Sequence, residues 1–168
     1  MTVDIGPEQS DEIEAIHRIH TVAFDGRTEE ADLVDALRDG GDLLLSLVAR
    51  RGGEVIGHIA FSRLIVETAE GPVGGVALAP ISVLPEEQRA GIGSRLVESG
   101  LQILADTEQV VLVVGNPAYY QRFGFSTAVG KRYPSLHSGP HFLALVLGDP
   151  IEAPIGPVVY SDAFGLVN

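Results

Sequence analysis

The chain has 168 residues, 45% of them hydrophobic and 20% charged, which is the length of one domain and the composition of a packed core rather than of a disordered segment. With 11 Lys and Arg against 23 Asp and Glu, a net charge of −12 and no cysteine, it lacks the means for a nucleic-acid surface, a disulfide framework, Cys-ligated zinc or iron, or a thiol nucleophile. No apolar run approaches the ~20 residues of a membrane span, and no secretory signal opens the chain, so no membrane partner and a cytoplasmic location are expected.

Residues Thr2 to Ile5 alternate as a short strand. Ser10 is positioned to cap a helix beginning Asp11-Glu12, along which Ile13, Ile16, Ile19 and Ala23 recur at helical spacing. A second helix is predicted from Thr28, with Leu33, Val34 and Leu37 as its apolar stripe and Gly40-Gly41 as its stop. Leu43 to Arg50 and Val55 to Glu67 read as a hairpin around Arg51-Gly52-Gly53-Glu54. Gly71 to Gly75 reads as a turn, and Val76 to Val83 as a third strand with a bulge near Pro80, since proline cannot donate to a strand ladder. After the polar loop Leu84 to Ala90, Ile92, Leu96, Val97, Leu101 and Leu104 line one helix face. Val110 to Val114 is a continuous apolar strand of the kind found at the centre of a sheet. A short helix is predicted over Pro117 to Phe123, ended by Gly124, and a last strand over His141 to Leu147. The fold class is mixed α/β (α+β), with a central, mostly antiparallel twisted sheet flanked by helices. Residues 1–148 are read as the domain. Residues 149–168 are read as a tail too apolar for a solvated linker, packed on the domain or on a partner subunit.

The segment Gln88-Arg89-Ala90-Gly91-Ile92-Gly93-Ser94 sits where a loop becomes a helix N-terminus. Glycines there let backbone approach an anion, the first helical N–H groups have no internal partner, and the dipole adds positive charge; the site suits a phosphate or pyrophosphate. A P-loop would need Lys-Ser or Lys-Thr after the second glycine, and the single lysine is Lys131; a dinucleotide fingerprint would need a small residue where Leu96 stands. A loop whose glycines serve only turning and capping is the remaining alternative.

Downstream, Asn116-Pro117-Ala118-Tyr119-Tyr120-Gln121-Arg122-Phe123-Gly124-Phe125 follows the buried strand. Together the two segments resemble the GNAT family of acyl-CoA-dependent N-acetyltransferases: Gln88-x-x-Gly91-x-Gly93 matches its pyrophosphate motif, and Tyr120 followed by Gly124-Phe125 matches its later helix-to-strand signature. The chain is most similar to the small bacterial members of YhbS type. The resemblance implies a GNAT-like domain over 1–148 that moves an acetyl group from acetyl-CoA, as co-substrate and without a metal, to a primary amine by direct transfer in a ternary complex. Ile81, Ser82 and Val83 would pair with the pantetheine arm, a backbone N–H there, that of Val83 first, would hold the thioester oxygen, and Arg89, Ala90, Gly91, Ile92, Gly93 and Ser94 would hold the pyrophosphate with Gln88. Asn116 would contact the pantetheine arm, or serve as the N-cap before Pro117. Tyr120 would be the general acid for the departing sulfur, or a half-buried packing residue; Tyr119 is assigned to the core.

The general base has no assignment, because the strand Val76 to Val83 carries no carboxylate. Glu67, His58, His137 and His141 are its candidates, with His58 read as structural. That missing carboxylate supports an alternative, a non-catalytic acyl-CoA-binding or regulatory module. The expected acceptor is a small-molecule or peptide amine, with the net charge favouring a cationic one. Many relatives are dimers, and the apolar tail is the candidate interface for a homodimer. His17 and His20 are three apart on a helix with no third ligand in view, so no zinc site is expected.

Overall fold

The structure is a computed structural model and describes residues 2–167. Strand β1 (Val3–Pro7) leads through a 3₁₀ turn (Ser10–Glu12) into α1 (Ile13–Ala23) and α2 (Glu29–Asp39). Strands β2 (Leu43–Arg51), β3 (Glu54–Thr68) and β4 (Gly71–Val83) follow as an antiparallel meander. After the turn Pro85–Glu87 come α3 (Ile92–Leu104), β5 (Val110–Val114), α4 (Pro117–Tyr120), a 3₁₀ turn (Gln121–Phe123), α5 (Thr127–Gly130), β6 (Phe142–Val146) and the short β7 (Val158–Val159). The sheet runs β1-β2-β3-β4-β5-β6, and within that order only β4 and β5 are parallel. The expected mixed class with a mostly antiparallel sheet is the class that forms.

Turn chemistry accounts for the meander. Gly52 and Gly53 both have positive φ (60° and 81°), the backbone a two-residue hairpin loop requires to match the twist of its strands. The segment Gly71 to Gly75 is not the turn the sequence suggested. It lies inside β4, paired with β3 from Thr68↔Gly71 onward. Small residues are needed there because a Cβ on Gly75 would stand 2.8 Å from Leu64 Cδ1. Ser10 is not the helix cap either: the Gln9 N–H donates to Glu12 Oε1 at 2.8 Å, so Glu12 closes the entry to α1 by reaching back. The α5 turn and β7 have no counterpart in the sequence reading, being too short to show a period.

Alternation along the strands sorts the core into two layers. Leu47, Ile59, Phe61, Val111 and Val113 face α3, packing on Ile92, Leu96 and Val97. Val48 and Ala60 face α1 and α2, packing on Ile16, Ile19 and Val34. Helix α3 comes so close that a Cβ on Gly100 would overlap the Phe61 ring. The tail joins the α2 side. β7 continues the edge of β3 past the end of β2, through Ile65↔Val159 and Val66↔Val158, and Phe164 is buried with Leu33 and Leu37 of α2.

The site is prepared where β4 leaves β5. The two strands pair only over Val76↔Val111 to Leu78↔Val113. The next residues are Ala79 and Pro80, where the β3–β4 register also slips, between Ile59↔Ile81 and Phe61↔Leu78. This is the irregularity expected at Pro80, whose nitrogen has no proton to donate. Beyond it β4 continues along β3 alone, and a gap opens on its β5 side.

Candidate active site

The backbone of β4 turns polar groups toward this gap. The Leu84 N–H donates to Ile56 O at 2.9 Å, toward β3. Because carbonyls and N–H groups alternate sides along a strand, those of Ile81 and Val83 point into the gap. The Val83 carbonyl is occupied there, accepting the Gln88 side-chain amide at 3.0 Å. Gln88 thus braces the loop against β4, while the Val83 N–H points into the gap.

The opposite wall is the start of α3. Arg89 and Gly91 both have left-handed backbone (φ 67° and 79°), and Gly91 is the N-cap. Their reversal of the chain turns the N–H groups of Ile92, Gly93 and Ser94 outward, since the first intrahelical bond is Arg95 N–H to Gly91 O at 3.0 Å. A 13-residue helix aims its positive dipole end at the same point. Between the walls lies a cleft of about 540 Å³. Ile81, Ser82 and Val83 line it from β4; Gln88, Arg89, Gly91, Ile92, Gly93 and Ser94 line it from the loop and helix. At its mouth Arg122 lies over the Tyr119 ring, 4.5 Å from the centroid, and both residues line the cleft. With Arg89 this brings two guanidinium groups to the cleft, whose one lining carboxylate, Glu87, is paired with Arg51 at 2.9 Å, and the arrangement is suited to a polyanion.

Most residues singled out from the sequence therefore meet in one cleft, while Ala90, Asn116 and Tyr120 are outside its lining. Asn116 Oδ1 accepts from the Ala118 N–H at 3.0 Å, the capping geometry foreseen as its alternative role. Of the two tyrosines, only the reading of Tyr119 differs from what the sequence suggested. Tyr119, assigned to the core, lines the cleft and hydrogen-bonds Ser94 through its hydroxyl at 3.0 Å. Tyr120 is only 7% exposed, packed edge-on against Phe125 and against Gly115 at the end of β5. Burial, and the neighbouring Tyr119, push its pKa up to about 12. Helix α4 is a single turn, so no periodicity could have told the two apart. Arg122 was visible only as part of the family signature.

A smaller, apolar cavity of about 220 Å³ opens on the α2 side of the same gap, beside Ala79, Pro80 and Val114. Glu30 and His137 border it, with Tyr160 and Phe164 of the tail. Glu30 was not singled out from the sequence; it comes from the acidic first turn of α2. Of the base candidates, Glu67 is exposed near the far end of the β3–β4 hairpin, opposite Pro72. His141 is exposed, its Nδ1 3.3 Å from Gly115 O. His58 is fully buried. His17 and His20 turn to different surroundings: His17 Nε2 lies 3.2 Å from Asp32, while His20 points inward. Among the described residues no helix is long and apolar enough to cross a membrane.

A parallel pair of central strands that part at a bulge, with a glycine-capped helix aimed into the opening, defines the acyl-CoA-dependent N-acetyltransferase class of fold and site. The comparisons carry this to the family. The model of the acetyltransferase (GNAT) domain matches residues 4–128, and the chain belongs to the GNAT family. It is 38% identical over 130 residues to the uncharacterized N-acetyltransferase YjhQ of Escherichia coli K12, covering 74% of this chain and 71% of that protein. It is 36% identical over 143 residues to the uncharacterized N-acetyltransferase YhbS of the same strain, covering 80% of this chain and 83% of that protein. Among solved structures, a Brucella melitensis GNAT-family acetyltransferase in complex with acetyl-CoA matches with TM-score 0.81 and 33% identity, over 97% of this chain and 98% of that one. E. coli YhbS in complex with CoA matches with TM-score 0.87 and 30% identity, over 97% and 92%.

Proposed function

We propose that this protein transfers the acetyl group of acetyl-CoA directly to a primary amine. The observation that carries the reading is the gap beside β4, where the outward N–H of Val83 and the uncapped N–H groups of α3 face one cleft. Acetyl-CoA fits that donor set: its pyrophosphate meets the N-terminus of α3 with Arg89 and Arg122, and its pantetheine arm runs along Ile81 to Val83 as an added strand. The Val83 N–H, fixed before the reaction, stabilises the oxygen of the tetrahedral intermediate. The amine enters from the α2 side, past Glu30 and His137, and attacks the thioester carbon through the gap. Glu30 supplies the negative charge for an ammonium acceptor, so a cationic amine such as a polyamine, an aminoglycoside or a peptide amino terminus is the proposed class. When the carbon–sulfur bond breaks, Tyr120, held protonated by its burial, gives its proton to the thiolate and recovers one from the nitrogen.

The test is thiol release from acetyl-CoA across a panel of these amines, beside thermal melting with acetyl-CoA and with NADH and ATP as controls. Release that depends on an amine, and a melting shift specific to acetyl-CoA, are expected. Absence of the shift would overturn the assignment of the cleft; a shift without amine-dependent release would leave acyl-CoA binding and refute transfer. Acceptor affinity should fall with added salt and with Glu30→Gln; insensitivity to both would remove the electrostatic argument.

A further inference from the structure

A buried chain of side chains runs from the cleft across the face of the sheet that α1 and α2 cover, to the surface beside the end of β1. Ser82, 5% exposed on the cleft wall, has its hydroxyl 2.7 Å from His20 Nδ1. His20 Nε2 lies 2.7 Å from His58 Nδ1, and His58 Nε2 lies 2.7 Å from Ser46 Oγ. Ser46 in turn hydrogen-bonds Glu8, which borders a separate surface cavity with Arg38. Both imidazoles are fully buried. Five residues from α1, β2, β3, β4 and the segment after β1 thus form one unbroken line of short hydrogen bonds.

The line has a direction, and Glu8 sets it. Arg38 grips the Glu8 carboxylate at 2.8 and 3.0 Å and is itself held by Asp35 at 3.1 Å. Although burial opposes it, the hydrogen bonds from Arg38 and Ser46 keep Glu8 below the usual carboxylate range. An ionised carboxylate only accepts, so the Ser46 hydroxyl donates to it. Ser46 then accepts from His58 Nε2–H. His58 is neutral, because burial, His20 and the charge of Arg38 all lower its pKa, so its Nδ1 accepts from His20 Nε2–H. His20 is lowered to about 4 by burial and by His17, so its Nδ1 accepts from Ser82. Every proton in the line points toward Glu8. The Ser82 hydroxyl, its own proton committed to His20, retains acceptor capacity on a residue that lines the cleft.

We propose that Ser82 is the entry of a proton relay, Ser82–His20–His58–Ser46–Glu8, that removes the proton an ammonium acceptor must lose. This rests on the acetyl-transfer reading and supplies the base that the strand itself lacks. In the balance R–NH₃⁺ + acetyl-CoA → R–NH–acetyl + CoA–SH + H⁺, one amine proton goes to the sulfur and one is left over. The leftover proton passes to Ser82 Oγ as the Ser82 proton moves to His20 Nδ1. The Nε2 proton of His20 moves to His58 Nδ1, that of His58 to Ser46, and that of Ser46 to the Glu8 carboxylate, which releases it to water. No charge need rest on either buried imidazole. The relay residues beyond Ser82 act through it and are positioning residues.

Two measurements on the full chain test this. In ¹⁵N-histidine NMR at neutral pH, His20 and His58 should both be Nε2–H tautomers; an Nδ1–H tautomer at either overturns the relay whatever the activity. With spermidine as the probe acceptor, the wild-type rate in H₂O/D₂O mixtures should curve, as several protons move together. Glu8→Gln, remote from the cleft, should lower kcat roughly tenfold or more, straighten that curve and leave the acetyl-CoA melting shift intact, with Glu8→Asp restoring part of the rate. Ser82→Ala should lower kcat further at unchanged KM for acetyl-CoA. An unchanged kcat and an unchanged curve in Glu8→Gln overturn the relay while acetyl transfer stands. A wild type that binds acetyl-CoA and transfers to no amine overturns the function, and the relay with it.

Discussion

Gly93→Val should abolish acetyl-CoA binding without weakening the unliganded protein. A Cβ at Gly93 would lie 3.5 Å from the Tyr119 hydroxyl, 3.9 Å from Ile81 Cδ1 and 4.0 Å from Val83 Cγ2. These are ordinary contacts, so Gly93→Ala fits and serves as the control. The valine methyls reach about 1.5 Å further, into the space between α3 and β4 that a pantetheine arm must occupy. Gly93 has an ordinary helical backbone, and replacing a helical glycine gains rather than loses intrinsic helix stability, by up to about 1 kcal/mol for alanine. The melting temperature without ligand should therefore hold or rise. Acetyl-CoA at about 100 times its Kd stabilises a protein by about 2.7 kcal/mol. For a domain of this size that is a shift of roughly 5–10 °C. The shift should persist in wild type and Gly93→Ala and vanish in Gly93→Val. A full shift in Gly93→Val would refute the path of the ligand between α3 and β4.

Gly91→Ala forces a side chain into left-handed backbone and should cost about 1–2 kcal/mol, read from the urea midpoint; an unmoved midpoint would count against the reversal of the chain at Gly91. Tyr120→Phe should lower kcat by about a hundredfold and keep the acetyl-CoA shift, whereas Tyr119→Phe, which loses the bond to Ser94, should weaken acetyl-CoA binding more than turnover. Equal turnover in Tyr120→Phe and wild type would remove Tyr120 from the proton-donor role. Stability should fall in acid: His20 titrates near 6.5 when unfolded and near 4 when folded, so the unfolded chain binds the extra proton between those values. As pH drops through that window the fold should lose about 1.4 kcal/mol per unit from His20, seen in urea titrations at pH 7, 6 and 5. His20→Gln should flatten the dependence, and a slope unchanged by it would contradict burial of a neutral imidazole.

Chain-order reading recovers what depends on neighbours. The helical period of Ile92, Leu96 and Val97, the paired glycines at the first hairpin and the glycine start of α3 each act over a few residues, and each is visible as a spacing. The bulge at Pro80 is legible for the same reason: a missing N–H is a property of one residue. Gly71 to Gly75 misled because glycine marks a turn in isolation, and only the Leu64 and Arg63 side chains across the β3–β4 pair explain why glycines are needed within a strand. The tail's apolar residues showed that it must be covered, but not that Val158 and Val159 would continue the edge of β3.

Sequence by itself determined the class of fold, the two signatures that point to the GNAT family and most of the cleft from Ile81 to Ser94, because those residues lie within one strand–loop–helix unit. Tertiary structure decided the rest. It set which of two adjacent tyrosines faces the cleft, through the packing of a single helical turn on Gly115 and Phe125. It brought Glu30 to the α2 side of the gap from a helix preceding the sheet's central strands. And it aligned Glu8, His20, Ser46, His58 and Ser82, five polar residues from five segments. No spacing links them; burial makes each seek a partner, and only the stacking of α1 on the sheet makes those partners one another.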